Sequence, residues 1–368
     1  MKNKATAREP KFHVVKRSTI PPLNAWLIRI GAVLISLVVC AVITMLMTGM
    51  NPISVYATMI RGSFGTPRRI WNLFQGIAIL LCISLAVTPA FKMKFWNIGA
   101  EGQVLIGGLA TAACMVLLGN KIPNALLILV MIVASIVAGA IWAVIPAIFK
   151  AKFNTNETLF TLMMNYVGIQ LVSYFVMLWE NPKGSGKIGI INQSTHAGWF
   201  PIIGDYEYLL NIIIVAVITV AMYIYLKYSK HGYEISVVGE SENTARYVGI
   251  NVKKVIIRTM LLSGAVCGIA GLLLVGSTNH TISTTISNNR GFTAIMVSWL
   301  AKFNPILMIL TSFIIVFFEK GAGEISTVYG LNESFADIIT GIVLFFIIGS
   351  EFFINYQIKH HKAHKEVE

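Results

Sequence analysis

The sequence is dominated by uninterrupted runs of apolar residues, each about 20 residues long. Folded as a helix, a run of that length crosses a hydrocarbon layer of roughly 30 Å. Only 12% of the 368 residues are charged, about half the share that soluble globular domains carry. The chain is therefore predicted to be an all-α polytopic membrane protein.

About ten apolar segments follow one another along the chain. They cover residues 25–47, 71–91, 98–118, 123–149, 157–179, 208–227, 255–276, 291–301, 305–318 and 334–356. The segments 291–301 and 305–318 are too short to span alone and are predicted to form a broken or re-entrant pair. Such backbone is tolerated at membrane depth only where protein or a cavity covers it. A single span kinked at Pro305 is the alternative.

The positions of the basic residues predict the orientation of these segments. With ten crossings, most of the 29 lysine and arginine residues fall on one side, and basic residues concentrate in cytoplasmic loops. We therefore expect a cytoplasmic N-terminal tail over residues 1–24, a membrane domain over residues 25–356 and a cytoplasmic C-terminal tail over residues 357–368. Merging the two short segments would place the basic C-terminal tail outside.

Several functional classes are disfavoured by residue type and position. The net charge of +13 comes from bases between apolar segments rather than on one soluble face, so no nucleic-acid partner is predicted. The four cysteines lie inside apolar runs and the seven histidines outside them, so no metal site is expected within the membrane. No GxxxxGK[ST] phosphate-binding loop is present, which places any ATP hydrolysis on another chain. The lack of paired carboxylates disfavours an intramembrane enzyme, and no catalytic residue is assigned.

The polar loop 229–254 separates two apolar segments and contains a helix signal. Ser241 is suited to cap a short helix over residues 242–248, with Glu242 in its first turn and Gly249 as its stop. We expect this helix to lie in water, away from the packed spans. The alternative is a solvated connector with no further role.

Residues 239–251 (Gly-Glu-Ser-Glu-Asn-Thr-Ala-Arg-Tyr-Val-Gly-Ile-Asn) resemble the cytoplasmic coupling loop of bacterial ABC importer permeases. The branch it resembles carries nucleosides and simple sugars, within the branched-chain amino acid and ribose-type permease superfamily. In that family the loop sits in a groove of the ATPase subunit. The resemblance implies an ATPase-coupling role for Gly239, Glu240, Ser241, Glu242, Asn243, Arg246, Tyr247 and Gly249.

A second motif, Asn-Ile-Gly-Ala-Glu-Gly-Gln at residues 97–103, places polar groups at the head of an apolar segment. Polar residues at membrane depth usually face the bundle interior or a water-filled path. The motif resembles the signature of the same permeases, where it lies near the translocation path. Asn97, Glu101 and Gln103 are therefore candidate substrate-pathway residues. Alternatively, Glu101 lies at the interface and pairs with Lys92 or Lys94.

Three further candidates come from later segments. Asn165 and Tyr166 belong to a Met-Met-Asn-Tyr stretch that resembles the same permeases. The alternative for Asn165 is a helix–helix hydrogen bond worth under about 1 kcal/mol. Phe292 is suited to stacking on a base or sugar, and equally to packing. Relatives carry an acidic residue where Thr293 stands, so no role of that carboxylate transfers to this chain.

The resemblance covers most of the chain and implies a complete transport machine. This chain would be the transmembrane permease subunit of an ATP-driven ABC importer for nucleosides, with a ribose-like sugar as the alternative substrate. The implied partners are an ABC ATPase subunit that binds ATP and Mg, a second permease that is usually not identical, and an extracytoplasmic substrate-binding lipoprotein. This chain itself would bind no cofactor and would span the bacterial plasma membrane many times. A rival hypothesis is a secondary transporter with Glu101 as its proton carrier.

Overall fold

The computed structural model describes residues 12–17, 20–49, 51–204 and 206–360, and these are almost entirely helical. The helices are α1 (Pro22–Thr48), α2 (Pro52–Phe64), α3 (Pro67–Lys92), α4 (Ala100–Leu118), α5 (Asn124–Phe153), α6 (Glu157–Trp179), α7 (Leu209–Tyr228), α8 (Lys230–Glu240), α9 (Glu242–Tyr247), α10 (Val252–Leu273), α11 (Arg290–Leu300), α12 (Pro305–Val328) and α13 (Glu333–Asn355). A π-helical turn, Leu274–Asn279, continues α10. Strands β1 (Phe12–Lys16) and β2 (Tyr356–His360) form the one sheet of the described residues.

Nine helices within the described ranges are long and apolar enough to cross a membrane. They are α1, α3 to α7, α10 with its π-helical turn, α12 and α13. The predicted class, an all-α polytopic membrane protein, is confirmed, and the count of ten segments is approximate.

The prediction of two short segments is confirmed for the first segment and wrong for the second. Segment 291–301 corresponds to the short helix α11, whose 11 residues span about 16 Å. Segment 305–318, however, is only the first part of α12, a full-length helix of 24 residues. Because a four-residue turn separates α11 from α12, a single helix kinked at Pro305 is also wrong. Tertiary packing explains the longer helix, since α12 presents Gly321 to Met59 of α2 beyond the end of the apolar run.

The chain divides into two compact units, one of which contains residues 1–62 and 318–368. In this unit Arg29 of α1 donates from Nε to Glu351 of α13 at 3.0 Å. Strands β1 and β2 pair antiparallel, with Lys16 opposite Tyr356. The start of α1 therefore lies beside the end of α13. Of the predicted tails, residues 1–11, 18–19 and 361–368 lie outside the described residues.

The other unit, residues 63–317, is built on close approach of α4, α5 and α10. Glycines make this approach possible, because they let two helix backbones touch. A Cβ added to Gly107 of α4 would lie 2.5 Å from Cα of Gly268, and Gly264 of α10 lies directly against Gly139 of α5. Helix α3 packs beside them with every residue from Gln75 to Phe91 buried. This tight bundle positions both polar motifs.

Candidate functional site

The turn between α3 and α4 and the start of α4 carry the Asn-Ile-Gly-Ala-Glu-Gly-Gln motif. Hydrogen bonds made by the first residue of the motif, Asn97, hold this turn in place. Asn97 is fully buried, and its Oδ1 accepts hydrogen bonds from the Gly99 N–H and from Gln103 Nε2, both at 3.1 Å. Its Nδ2 donates to Ser263 Oγ of α10 at 3.2 Å. Asn97 and Gln103 therefore fix the start of α4 against α10.

Glu101 lies in the first turn of α4, where the helix dipole favours a carboxylate, and only 3% of it is exposed. Its Oε2 accepts from the Gly291 N–H of α11 at 2.9 Å, and its Oε1 accepts from Ser287 Oγ. A Cβ at Gly291 would lie 2.5 Å from the Glu101 nitrogen, so the start of α11 touches α4 directly. The partners of this carboxylate are thus in and before α11, rather than the Lys92 or Lys94 considered from the sequence.

Asn165 of α6 joins the same cluster. Its Oδ1 accepts from the Gly102 N–H, and its Nδ2 donates to the Ile98 carbonyl, both at 2.8 Å. One turn earlier, Thr161 Oγ1 accepts from the Ile98 N–H at 3.2 Å. A single buried amide therefore satisfies two backbone groups of the α3–α4 turn.

The structure brings four of the six predicted pathway residues together: Asn97, Glu101, Gln103 and Asn165. Tyr166 does not join them, since 60% of its surface is exposed on the outside of α6. Phe292 follows Gly291 on α11 and is partly exposed. Within the described residues, Gln103 Oε1 is buried without a hydrogen-bond partner.

A second polar cluster at the π-helical turn was missed by the sequence analysis. Gln75 of α3 donates from Nε2 to Thr278 Oγ1 at 2.9 Å, and Asn211 of α7 donates from Nδ2 to the same oxygen at 3.4 Å. Asn211 Oδ1 is buried and has no partner in the described part of the chain. π-Helical turns are frequent at functional sites. Two amides inside apolar runs were the sequence signal that could have revealed this cluster.

The polar loop between α7 and α10 contains the predicted capped helix. Ser241 Oγ accepts from the Thr244 N–H at 3.3 Å at the start of α9, and Gly249 adopts a left-handed φ of 83° just beyond its end. The predicted cap and stop are confirmed. Helix α8, which precedes α9, was not predicted. We refer to α8 and α9 together as the coupling element, after the family's coupling loop that residues 239–251 resemble.

The expectation that this loop lies away from the packed spans is wrong. Ala245 of α9 is fully buried in an apolar cluster that includes Met93 after α3, Ala147 of α5 and Val255 of α10. Gly239 of α8 lies directly against the Lys92 carbonyl. Burial of this apolar surface holds the coupling element on the ends of three membrane helices.

The opposite face of the coupling element is open. Tyr247 is 93% exposed and Val248 is also exposed. Arg246 and Glu242 form an exposed ion pair at 3.0 Å, one helical turn apart. Of the other predicted coupling residues, Glu240, Asn243 and Gly249 are exposed, Ser241 is partly exposed and Gly239 is buried. The coupling element therefore has one face buried against the bundle and one face that exposes an aromatic ring.

Comparison with known sequences identifies the family. Residues 69–348 match the profile described as branched-chain amino acid transport system / permease component. The chain belongs to this permease family. The resemblance found in its two motifs is confirmed, and the protein is a membrane-spanning permease component of a transport system.

Individual permeases resemble the chain over nearly its whole length. The guanosine ABC transporter permease NupP of Bacillus subtilis is 29% identical over 332 residues, covering 89% of this chain and 94% of its own. The nucleoside ABC transporter permease NupB of Lactococcus lactis is 27% identical, covering 89% and 91%. The glucose ABC transporter permease TsgB13 of Haloferax volcanii is 28% identical, covering 93% and 92%.

Proposed function

We propose that this permease is a subunit of an ATP-driven ABC importer for nucleosides. The observation that carries the proposal is the coupling element, which is packed on the membrane helices by one face and exposes Tyr247 on the other. A permease whose ATP is hydrolysed on a separate chain needs such a contact with that chain if hydrolysis is to move a transport site inside the membrane. In this proposal, ATP and Mg bind to a separate ATPase chain.

The proposed mechanism passes force through buried side chains. Closure of the ATPase pair pushes on α9, and Ala245 transmits the displacement to the ends of α3, α5 and α10. Because packed interfaces shift between discrete arrangements, the bundle tilts as a body from an outward-open to an inward-open state. The free energy of ATP binding and hydrolysis biases that two-state equilibrium.

The Glu101 cluster is the proposed element of the substrate path that responds to this tilt. Glu101 of α4 is bonded to the start of α11 through Gly291, and α11 is too short to span alone. Movement of α3 and α4 against α11 would expose Gln103 Oε1 and the Glu101 carboxylate to the path, where ribose hydroxyls can donate to them. Phe292, one residue beyond Gly291, offers a ring for a base to stack on.

The rest of the assembly is part of the same proposal. A second permease of similar fold completes the translocation path, and a substrate-binding lipoprotein delivers the nucleoside from outside. The coupling element then faces the cytoplasm. The start of α1 and the end of α13 lie beside each other, and we propose that they face the cytoplasm.

The substrate is proposed from the two relatives named for guanosine and nucleosides, and the relative named for glucose supplies the alternative. The test is uptake of labelled guanosine, uridine, ribose and glucose by cells that express the complete transporter. Nucleoside uptake should survive an ionophore and disappear when the P-loop lysine of the ATPase is replaced. If only the sugars were taken up, the transporter would be a sugar importer instead. Uptake that collapses with the ionophore would instead favour a proton-coupled carrier.

A further inference from the structure

An open cleft of about 480 Å³ lies between the end of α3 and the end of α11. Seven residues line it: Phe91, Lys92, Lys94, Trp96, Trp299, Lys302 and Phe303. It is separate from the hydrogen-bonded Glu101 cluster, and neither the proposed substrate path nor the coupling face uses it.

Three of the four aromatic rings that line the cleft pack together as one wall. Trp96 and Trp299 lie 5.1 Å apart between ring centroids, and Phe91 meets both of them edge-on at about 6 Å. Although they pack together, Trp96 is 43% exposed and Trp299 is 47% exposed. Partly exposed tryptophans are typical of the membrane–water interface, where one part of the ring is apolar and the indole N–H is wet.

Three lysines surround this aromatic wall, and none of the described residues that line the cleft is acidic. Lys94 and Lys302 are exposed, whereas Lys92 is partly buried and donates to the Leu226 carbonyl at 3.4 Å. The cleft therefore presents a local excess of positive charge beside apolar rings. This combination fits a ligand with an anionic head and an apolar body.

The backbone of the two lysine turns supports a role for the lysine side chains themselves. Lys94 and Lys302 both adopt a left-handed conformation, with φ of 59° and 50°. The two helix ends share one hydrogen bond: the Phe95 N–H donates to the Ala90 carbonyl at 2.9 Å, and the Phe303 N–H to the Ser298 carbonyl at 3.0 Å. The second turn also has Phe303 in a left-handed conformation, with φ of 60°. Glycine usually occupies the left-handed position of such a turn, because a Cβ strains it. Lysine in both places retains a charged side chain at a position where glycine would fit better.

The position of the cleft along the membrane normal indicates which class of ligand it binds. The candidate span α3 ends at Lys92, and the Lys92 carbonyl touches Gly239 of the coupling element. The cleft is therefore at the membrane surface on the side of the coupling element. We propose that it binds the headgroup of one anionic phospholipid, with the lysines on the phosphate and the tryptophans against the glycerol and the first acyl carbons. A soluble phosphate would leave the aromatic wall uncovered.

The bound lipid joins two elements of the transport path. The α3 end leads through Trp96 into the Asn97 turn, and Trp299 lies on the helix whose first turn bonds Glu101. Inside the bundle the same two helices touch where Thr88 and Ser298 share a hydrogen bond of 2.9 Å. A phospholipid in the cleft would therefore stabilise the packing of α11 on α3.

The test measures lipid binding to the purified full-length permease in neutral detergent. Native mass spectrometry and thermal-shift titrations compare phosphatidylglycerol with phosphatidylcholine, and soluble glycerol phosphate with inorganic phosphate. Phosphatidylglycerol should bind and raise the melting temperature, and the other three should not. The double variant Lys94→Gln, Lys302→Gln should lose roughly 10- to 30-fold in affinity for phosphatidylglycerol, as expected for two basic residues near an anionic headgroup. The matched control replaces the exposed Lys183 and Lys187 of the loop after α6 by glutamine and should bind as the unaltered chain does.

A second variant separates lipid binding from folding. The double change Lys94→Gly, Lys302→Gly removes the Cβ from both left-handed lysine positions, so it should raise the melting temperature without lipid and lose the stabilisation by phosphatidylglycerol. Equal binding of phosphatidylglycerol and phosphatidylcholine would overturn the proposal, as would an equal loss in the control variant. Equal stabilisation by glycerol phosphate or inorganic phosphate would assign the cleft to a soluble anion instead. A lower melting temperature of the glycine variant without lipid would show that the lysines serve only the helix ends.

Discussion

The guanidinium of Arg258 on α10 donates to the carboxylate of Glu234 on α8 at 2.8 Å. This bond joins the coupling element to the membrane helix that runs through the centre of its bundle. The hydrogen bond from Arg258 is the main reason that the pKa of Glu234 lies below its usual range, with a smaller effect from His231 at 3.5 Å. The structure thus attaches the coupling element by an ion pair as well as by the apolar cluster around Ala245.

The first prediction concerns the pH dependence of that ion pair. A carboxyl with a lowered folded-state pKa stabilises the fold above its unfolded-state pKa, and the contribution disappears as pH falls through the folded value. Glu234→Gln should therefore lower the melting temperature at pH 7 by the equivalent of about 1 kcal/mol or less, since the pair is partly exposed. The difference from the unaltered protein should shrink below about pH 4. The measurement is a melting curve in detergent at each pH, with the exposed Glu240→Gln as control. A difference that stays constant with pH would contradict this account of Glu234.

The second prediction concerns the buried face of α9. Ala245→Leu forces a larger side chain into a fully buried site and should destabilise the permease by about 1–3 kcal/mol. The matched control is Asn243→Leu, an exposed position on the same helix. Melting temperatures in detergent should fall for Ala245→Leu and change little for Asn243→Leu. Equal melting temperatures would place α9 in solvent, as the sequence alone suggested.

Helix α9 was predicted from the sequence and helix α8 was not, which shows how much of the coupling element the sequence could predict. Ser241, Glu242 and Gly249 act through neighbouring backbone groups, so their pattern was sufficient to predict the helix and its ends. Helix α8 depends on burying Ile235 and Val238 against residues that lie far away in the chain, and no local pattern encodes that partner.

The same distinction applies to the candidate site. Polar residues in apolar runs marked Asn97, Glu101 and Asn165 as unusual, and the structure does bring them together. Their partners could not be predicted, because Ser263, Ser287 and Gly291 meet them only after α10 and α11 pack on α4. Likewise, the full length of α12 follows from its packing on α2 and not from its apolar run, which ends ten residues earlier.

The third prediction separates two neighbouring residues of α6. Asn165→Ala removes the partners of the buried Gly102 N–H and the part-buried Ile98 carbonyl, and it should cost about 1–3 kcal/mol for the buried group left unsatisfied. Tyr166→Ala changes an exposed side chain and should leave the melting temperature nearly unchanged. Labelled-nucleoside uptake, normalised to permease in the membrane, should fall for Asn165→Ala. Full uptake and unaltered stability in that variant would show that Asn165 is needed neither for transport nor for the structure around the substrate path.

The fourth prediction concerns the contact between α11 and α4. Gly291→Ala places a Cβ against the Glu101 backbone, so α11 must move and the bond from Gly291 N–H to Glu101 must lengthen. Uptake should fall several-fold, and Glu101→Gln should cause a loss in the same direction because it removes the charge that the α11 start stabilises. The control is Gly341→Ala on α13, where a Cβ meets open space and a helix gains stability. Equal uptake in Gly291→Ala and Gly341→Ala would exclude a role for this contact.

The exposed face of α9 gives the most direct test of the central claim, that this permease is driven by an ATPase docked on its coupling element. Tyr247→Ala and Arg246→Glu alter only exposed side chains, so both variants should fold and insert normally. The measurement is nucleoside-stimulated ATP hydrolysis by the complete transporter in liposomes, together with co-purification of the ATPase. The account predicts that ATPase binding weakens or that stimulation by nucleoside is lost in both variants. Unaltered ATPase binding and unaltered stimulation in both would contradict it and leave the coupling element as a simple connector.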